Sequence, residues 1–271
     1  MTAQDVATAL LASFDSGQAV ADHTVPADLD LPGAQAIQAM IIAARRSRGE
    51  RTVGYKIGFT NRTIWDRYGV HHPIWSPMFD STVRLLDSDH TRLSIGRFHE
   101  PRLEPEIVVQ LAREPDEATP LAVAQSLEWV AHGFEIVQSA YPGWRFTGAQ
   151  AFAAQGLHGA LLVGPRHPVP TLPDPARLAD WLSALQIALH LNHASAPVDT
   201  GRGHVVLDGP LHAIAHLVAA MAADGEHLQA GDIITTGTLT DAQPLAPGQH
   251  WHTVIEGIRP IAGLNLTVED R

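Results

Sequence analysis

Arg102-Leu-Glu104-Pro-Glu106-Ile-Val-Val-Gln-Leu111 is the stretch of the chain from which the fold can best be predicted. Its apolar half predicts an extended strand, in which residues two positions apart share a face. Glu104 and Glu106 therefore project together. Pro105 has no N–H to donate to a sheet, so it indicates a strand start, an edge or a bulge.

A third carboxylate, Glu135, lies in the otherwise apolar run Gly133-Phe-Glu135-Ile-Val-Gln138. Neighbouring carboxylates repel one another, and burying them is costly unless a cation lies between them. Three carboxylates without a soft ligand describe a site for a hard cation, Mg²⁺ or Mn²⁺. The spacing also fits solvated strand carboxylates with Glu135 paired to an arginine, and both interpretations stay open at this point.

The rest of the chain predicts an α+β protein. Apolar residues at helical spacing predict two helices, within residues 3–19 and 34–48, which form a candidate N-terminal lobe. Two further helices interrupt the later β-type runs, at Pro120–Leu127 and Leu211–Ala223. Because strands and helices do not alternate regularly, we expect a mainly antiparallel, rolled or barrel-like sheet. The predicted strands are Val53–Ile57, Val83–Leu86, Glu106–Leu111, Gly133–Ser139, Ala160–Val163, Ala184–Leu191, Asp232–Thr236, Trp251–Glu256 and Ile261–Val268.

Composition excludes several classes of protein. The chain has 271 residues, no cysteine and a formal net charge of −11. Without cysteine there is no disulfide scaffold, thiolate metal site or cysteine nucleophile. The acidic balance argues against nucleic-acid and anionic-membrane partners, and no signal peptide is evident, so we predict a cytoplasmic protein. Of 18 basic residues one alone, Lys56, is a lysine.

Four motifs follow one another in a recognisable order. They are Gly54-Tyr-Lys56-Ile-Gly-Phe-Thr60, Pro101-Arg-Leu-Glu104-Pro-Glu106, Gly133-Phe-Glu135 and Gly231-Asp-Ile-Ile-Thr-Thr-Gly237-Thr238. Together they resemble the 2-keto-4-pentenoate hydratase branch of the fumarylacetoacetate hydrolase superfamily. The resemblance implies a mixed β-sandwich roll behind a small helical lobe. We place the lobe, including the Lys56 motif, at residues 1–75 and the catalytic β-roll at residues 76–271.

The resemblance also implies the site. Mg²⁺ or Mn²⁺ would be held by Glu104, Glu106 and Glu135. Lys56 and Asp80 would be catalytic, with Lys56 acting as an orienting ammonium or, if burial lowers its pKa, as a proton-transfer group. The residues expected to contact substrate are Trp75, Gln155, Gly156, Leu157, His158 and Thr238.

The reaction implied is the addition of water to a 2-hydroxy-2,4-dienoate, such as 2-hydroxypenta-2,4-dienoate, in aromatic catabolism by a homo-oligomer. Two other reactions share the metal and the enolate: decarboxylation of a 4-oxalocrotonate-type 2-oxo diacid, and hydrolytic C–C cleavage of a diketo acid with water activated by a His–Glu pair. A small-molecule binding protein that lost the chemistry is the alternative of another class.

Overall fold

A computed structural model describes residues 1–172 and 175–270. Its helices are α1 (Ala3–Ser16), α2 (Leu31–Ser47), α3 (Trp65–Tyr68), α4 (Pro120–Ser126), α5 (Gly148–Ala153), α6 (Leu178–Ala184) and α7 (Pro210–Ala223). Its strands are β1 (Thr52–Gly58), β2 (Ile74–Phe79), β3 (Val83–Leu85), β4 (His90–Ser94), β5 (Arg102–Leu111), β6 (Leu127–Val137), β7 (His158–Val163), β8 (His167–Pro168), β9 (Gln186–Leu191), β10 (Asp199–Arg202), β11 (Ile233–Thr238), β12 (Gln243–Pro244), β13 (His250–Glu256) and β14 (Asn265–Glu269).

Local sequence signals fix the ends of the two N-terminal helices. Thr2 and Asp5 form a reciprocal capping box at the start of α1, which ends at Gly17 with a left-handed φ of 64°. Asp30 caps the first turn of α2 through the N–H of Gly33. Both helices pack with α5 around one apolar cluster, so the lobe lies over one end of the sheet.

A large sheet carries the centre of the fold. Its strand order is β2-β1-β11-β5-β6-β7-β3, with β12 added to β5 and β8 to β6. β1 pairs with β11 and β3 with β7 in parallel, whereas the other pairs are antiparallel. The predicted α+β class with a rolled, mainly antiparallel sheet is confirmed.

A second sheet, in the order β10-β9-β13-β14-β4, packs against part of the large one. Leu103, Phe134 and Leu162 of the large sheet share an apolar cluster with Trp251 and Leu266 of the second. The largest cluster packs α4, α6 and α7 against the face of β5 that carries Ile107, Val109 and Leu111. The second sheet and these helices therefore cover successive parts of one face of β5, and Glu104 and Glu106 lie on the other face.

The strand that carries Lys56 belongs to the large sheet. β1 pairs with β11 on one side and β2 on the other, and the proposed domain boundary at residue 75 falls inside β2. β2 was not among the predicted strands because Pro77 interrupts its pattern. β5 and β6 also begin earlier than predicted, so both metal-site motifs lie within regular strands.

One segment, Gly203–Ala223, is long and apolar enough to cross a membrane by length and composition. More than half of it is buried inside the protein, where α7 packs on α4, α6 and β11. Core helices have the same composition, so the segment is weak evidence for a membrane span.

Candidate active site

Three carboxylates converge between neighbouring strands of the large sheet. One oxygen from each of Glu104, Glu106 and Glu135 lies within 4.8 Å of the others. The register of β5 and β6 places Glu104 directly opposite Glu135 and Glu106 opposite Gly133. Glu106 and Glu135 are fully buried and Glu104 is half-buried. The structure therefore brings together the three glutamates singled out from the sequence.

Glu106 is held from one side only. Its Oε2 accepts hydrogen bonds from the Gly237 N–H at 2.8 Å and from the Thr235 hydroxyl. Its Oε1 is buried and has no hydrogen-bond partner among the described residues. Burial, reinforced by Glu135 and Glu104, holds the pKa of Glu106 well above its ordinary value.

These features match a divalent cation. Burial raises the pKa of Glu104 to about 7, against the opposing pull of Lys56. Carboxylates crowded in this way keep a proton or take up a cation, and oxygen donors are the ligands of hard divalent ions. The orphaned Glu106 oxygen is an open donor of this kind. The residues present therefore fit a divalent metal.

Lys56 lies against the same cluster. Its side chain is buried, its Nζ donates to the Gly156 carbonyl at 2.8 Å, and the Glu135 Oε2 lies 3.2 Å from it. Burial lowers the pKa of Lys56, but Glu135, Glu104 and Glu106 together raise it further, so the net shift is upward. Without a bound metal, the three carboxylates therefore favour the charged ammonium of Lys56.

His158 is buried and contacts the Glu135 carboxylate. Its Nδ1 lies 2.7 Å from the Glu135 Oε1 and its Nε2 lies 3.0 Å from the Thr82 hydroxyl, so both ring nitrogens are engaged. Burial lowers the pKa of His158, with Glu135 opposing. The imidazole orients the carboxylate rather than facing the cavity. Glu135 is partnered by His158 and Lys56, not by an arginine.

A cavity of about 340 Å³ opens beside the carboxylates. Its polar end includes Lys56, Glu104 and Glu106. Part of its wall is aromatic: the Tyr68 ring is stacked on that of Phe146 at a centroid distance of 5.2 Å, and the Tyr68 and Phe59 centroids are 5.3 Å apart. A cavity with one anionic end and one apolar wall suits a small acid whose polar end meets a cation.

Five of the six residues expected to contact substrate divide into two groups. Gly156, Leu157 and Thr238 line the cavity. Gln155 and His158 lie behind it, because the Gln155 Oε1 accepts a hydrogen bond from Arg45 and His158 faces Glu135. The expected substrate contacts of these two side chains are corrected to supporting ones.

Trp75 and Asp80 lie elsewhere. Trp75 packs edge-on against Tyr55 and borders a different groove, beside α2 and α7. Asp80 accepts hydrogen bonds from the Arg51 backbone N–H at 3.1 Å and from its Nε at 3.0 Å, at a partly exposed position outside the cavity lining. Neither residue reaches the carboxylate cluster, so both expectations are corrected.

Sequence reasoning missed two contributors, Thr235 and Arg45, whereas Gly237 belongs to a motif that it had singled out. Thr235 binds Glu106 through its hydroxyl and Gly237 through its backbone N–H. The register of β11 shifts between Thr235 and Thr238, so strand alternation does not place the two groups. Gly237 has a φ of +108°, and a Cβ there would lie 2.0 Å from the Thr60 Oγ1, so the position requires glycine. Arg45, on α2, carried no local signal of its contact with the distant Gln155.

The chain is similar to known proteins over most of its length. The fumarylacetoacetate hydrolase C-terminal family matches residues 68–264. A 2-keto-4-pentenoate hydratase of Paraburkholderia xenovorans is 30% identical over 94% of this chain and 91% of its own length. A 4-oxalocrotonate decarboxylase of a Pseudomonas species is 28% identical over 86% of each chain.

A solved structure shows the same fold. The 4-oxalocrotonate decarboxylase of Pseudomonas putida G7, complexed with magnesium and adipate, superposes with a TM-score of 0.84. The match covers 98% of this chain and 97% of that one at 21% identity. The similarity therefore extends through the N-terminal helices as well as the sheets.

Proposed function

Because the chain belongs to the fumarylacetoacetate hydrolase family, we propose that its site is that of a divalent-metal-dependent hydratase acting on a 2-hydroxy-2,4-dienoate in aromatic catabolism. The protein is an enzyme of the hydro-lyase class. The observation that carries the proposal is the cluster of Glu104, Glu106 and Glu135 around the Lys56 ammonium, at the polar end of an open cavity.

Glu104, Glu106 and Glu135 would hold the ion, which we propose to be Mg²⁺ or Mn²⁺. When bound, it would supply a Lewis acid for the substrate 1-carboxylate and 2-oxygen. The buried orphan oxygen of Glu106 supports this assignment, and so does the all-oxygen donor set.

Lys56 would orient the substrate and stabilise negative charge. Its ammonium donates one hydrogen bond to Gly156 and forms an ion pair with Glu135, which leaves donor capacity for an anionic oxygen in the cavity. A fixed cation of this kind favours the transition state when negative charge develops on the 2-oxygen. Thr238 and the aromatic wall would hold the rest of the substrate away from bulk water.

The overall reaction adds one water. The 2-hydroxyl proton of the dienoate leaves, a proton joins C5, and the remaining C3–C4 double bond becomes conjugated with the 2-oxo group. Water then adds across C3–C4, with hydroxyl to C4 and hydrogen to C3. The product is a 4-hydroxy-2-oxo acid.

A 4-oxalocrotonate-type decarboxylase is the second candidate. It is favoured by the 28% identical relative and by Arg67 and Arg102, whose side chains line the cavity and could pair with a second substrate carboxylate. Hydrolytic C–C cleavage is disfavoured because His158 has both ring nitrogens engaged and stands outside the cavity lining.

We further propose a cytoplasmic homo-oligomer, on the acidic composition and on relatives named for reactions of small acids.

Product analysis tests the proposal. The protein is incubated in two separate reactions, both of which contain Mg²⁺. One contains 2-hydroxypenta-2,4-dienoate and the other contains 4-oxalocrotonate. A hydratase gives a product one water heavier and releases no CO₂. Release of CO₂ from the diacid without hydration of the dienoate would establish the second candidate instead.

A further inference from the structure

Arg45 is a buried guanidinium that reaches from helix α2 to the loop behind Lys56. Its Nη1 donates to the Gln155 Oε1 at 3.0 Å, while Nε and Nη2 donate to the Glu50 Oε2 at 3.0 and 2.7 Å. Its Cζ lies 4.3 Å from the centroid of the Phe79 ring. A planar fork that also stacks on a ring is specific to arginine, so Arg45 is fixed from several sides.

The loop that Arg45 contacts has an unusual backbone. Gln155, Gly156 and Leu157 have φ values of 55°, 60° and 65°, so three successive residues are left-handed. Residues with side chains adopt this region only when their surroundings hold them there. Gln155 is only 1% exposed, and its Oε1 accepts a hydrogen bond from Arg45. This bond ties the loop to helix α2.

The same loop delivers two groups to the active site. The Gly156 carbonyl accepts the hydrogen bond from the Lys56 Nζ, and His158 meets Glu135. A Cβ on Gly156 would lie 2.9 Å from the Lys56 Cδ, which shows how closely the loop packs on the lysine stem. A change in the loop backbone would therefore move the Lys56 ammonium.

We propose that Arg45 is a positioning residue that acts through Gln155 to hold the Gly156 carbonyl, and with it the Lys56 Nζ, in place. The expected effect on turnover rests on the proposed function. The expected effect on the Lys56 side chain does not, since it follows from contacts inside the protein.

The single lysine of the chain makes a direct test possible. Labelling with [¹³Cε]lysine gives one side-chain signal, which reports the surroundings of Lys56. The variants are Arg45→Met and Gln155→Leu, and the control is Arg48→Met. Arg48 caps the C-terminus of α2, three residues after Arg45, and pairs with Asp15 at the surface, so its loss leaves the loop untouched.

We expect the lysine signal to shift in Arg45→Met and Gln155→Leu and to keep its wild-type position in Arg48→Met. With a 2-hydroxydienoate we expect kcat to fall tenfold or more in the two loop variants, with KM changed less than threefold. A merely structural loss would leave the signal of the folded fraction where it is in the wild type.

A wild-type lysine signal in folded Gln155→Leu overturns the proposal, as does unchanged kcat in an active enzyme. Gln155→Leu keeps the Arg45–Glu50 pair, so it decides the question even if Arg45→Met does not fold. If the signal shifts but the wild-type protein hydrates no dienoate, the positioning role stands and the proposed function fails.

Discussion

Glu104 and Glu135 face each other directly across the β5–β6 pair, two carboxylates at one rung of a sheet. Like charges at opposed positions destabilise a sheet, and here Glu106 adds a third. The arrangement is explained by a cation that the three share. Four predictions follow from the site that this cation and Lys56 would form.

The carboxylates should couple metal binding to stability. An ion at a hundred times its dissociation constant stabilises the folded state by about 2.7 kcal/mol. For a chain of this size that is a rise in Tm of roughly 5–10 °C. Glu135→Gln should remove most of this gain, measured by thermal unfolding with and without Mg²⁺. The control is Glu128→Gln, an exposed glutamate on the same strand. An equal Mg²⁺-induced rise in both variants would refute the assignment.

The gain from the metal should grow with pH. Burial raises the pKa of Glu104 to about 7 from an ordinary value of 4.5. The folded chain without metal therefore binds more protons than the unfolded chain between these values. Protonated Glu104 therefore contributes to the free energy of unfolding. This contribution is complete below the ordinary pKa of 4.5 and is lost as the pH rises through the folded-state pKa of about 7. Because the cation replaces the proton, the Mg²⁺-induced rise in Tm should be larger at about pH 8 than at about pH 5.5. Equal rises at both pH values would contradict this account.

Lys56→Arg should keep the charge and the fold but lose most of the turnover. The guanidinium is longer and planar, and the lysine stem is already packed against Gly156. We expect kcat to fall roughly a hundredfold, the range of a lost electrostatic donor, in steady-state assays with a 2-hydroxydienoate. The kcat of Lys56→Met should fall at least as far as that of Lys56→Arg. Wild-type turnover in either variant would remove Lys56 from the mechanism.

Gly237→Ala should lower the free energy of unfolding far more than Gly248→Ala, a matched substitution at another glycine with positive φ. Its φ is +108° and the new Cβ would meet the Thr60 side chain, whereas Gly248, with a φ of +82°, has open space at that position. We expect a loss in the free energy of unfolding of about 1 kcal/mol for Gly248→Ala and roughly 3 kcal/mol or more for Gly237→Ala. Urea unfolding measures both. Similar losses would show that the close approach to Thr60 can relax.

The local pattern of the sequence singled out the three glutamates but did not decide their role. Alternation along β5 puts Glu104 and Glu106 on one face, and Glu135 stands out in an apolar run, but solvated carboxylates and an arginine pair also fitted that pattern. The family resemblance implied the metal, and the burial of Glu106 and Glu135 supports it. The single lysine marked Lys56. In each case the signal lay within a few residues of the functional side chain.

Long-range contacts account for what was missed. Asp80 looked catalytic until the structure paired it with Arg51, 29 positions away. Gln155 was predicted to contact substrate, but its amide oxygen accepts a hydrogen bond from Arg45, 110 positions earlier. Nothing in the local sequence indicates that contact. Strand β2 was not predicted because Pro77 broke its pattern, and α5, with six residues, is too short for helical periodicity.

The most direct test of the central claim is the product formed from 2-hydroxypenta-2,4-dienoate, followed by mass spectrometry with and without Mg²⁺. The account predicts a 4-hydroxy-2-oxo acid one water heavier than the substrate, formed with the ion present by the wild type and by Glu128→Gln but not by Glu106→Gln. Equal product from Glu106→Gln, or no hydration by the wild-type protein, would contradict it.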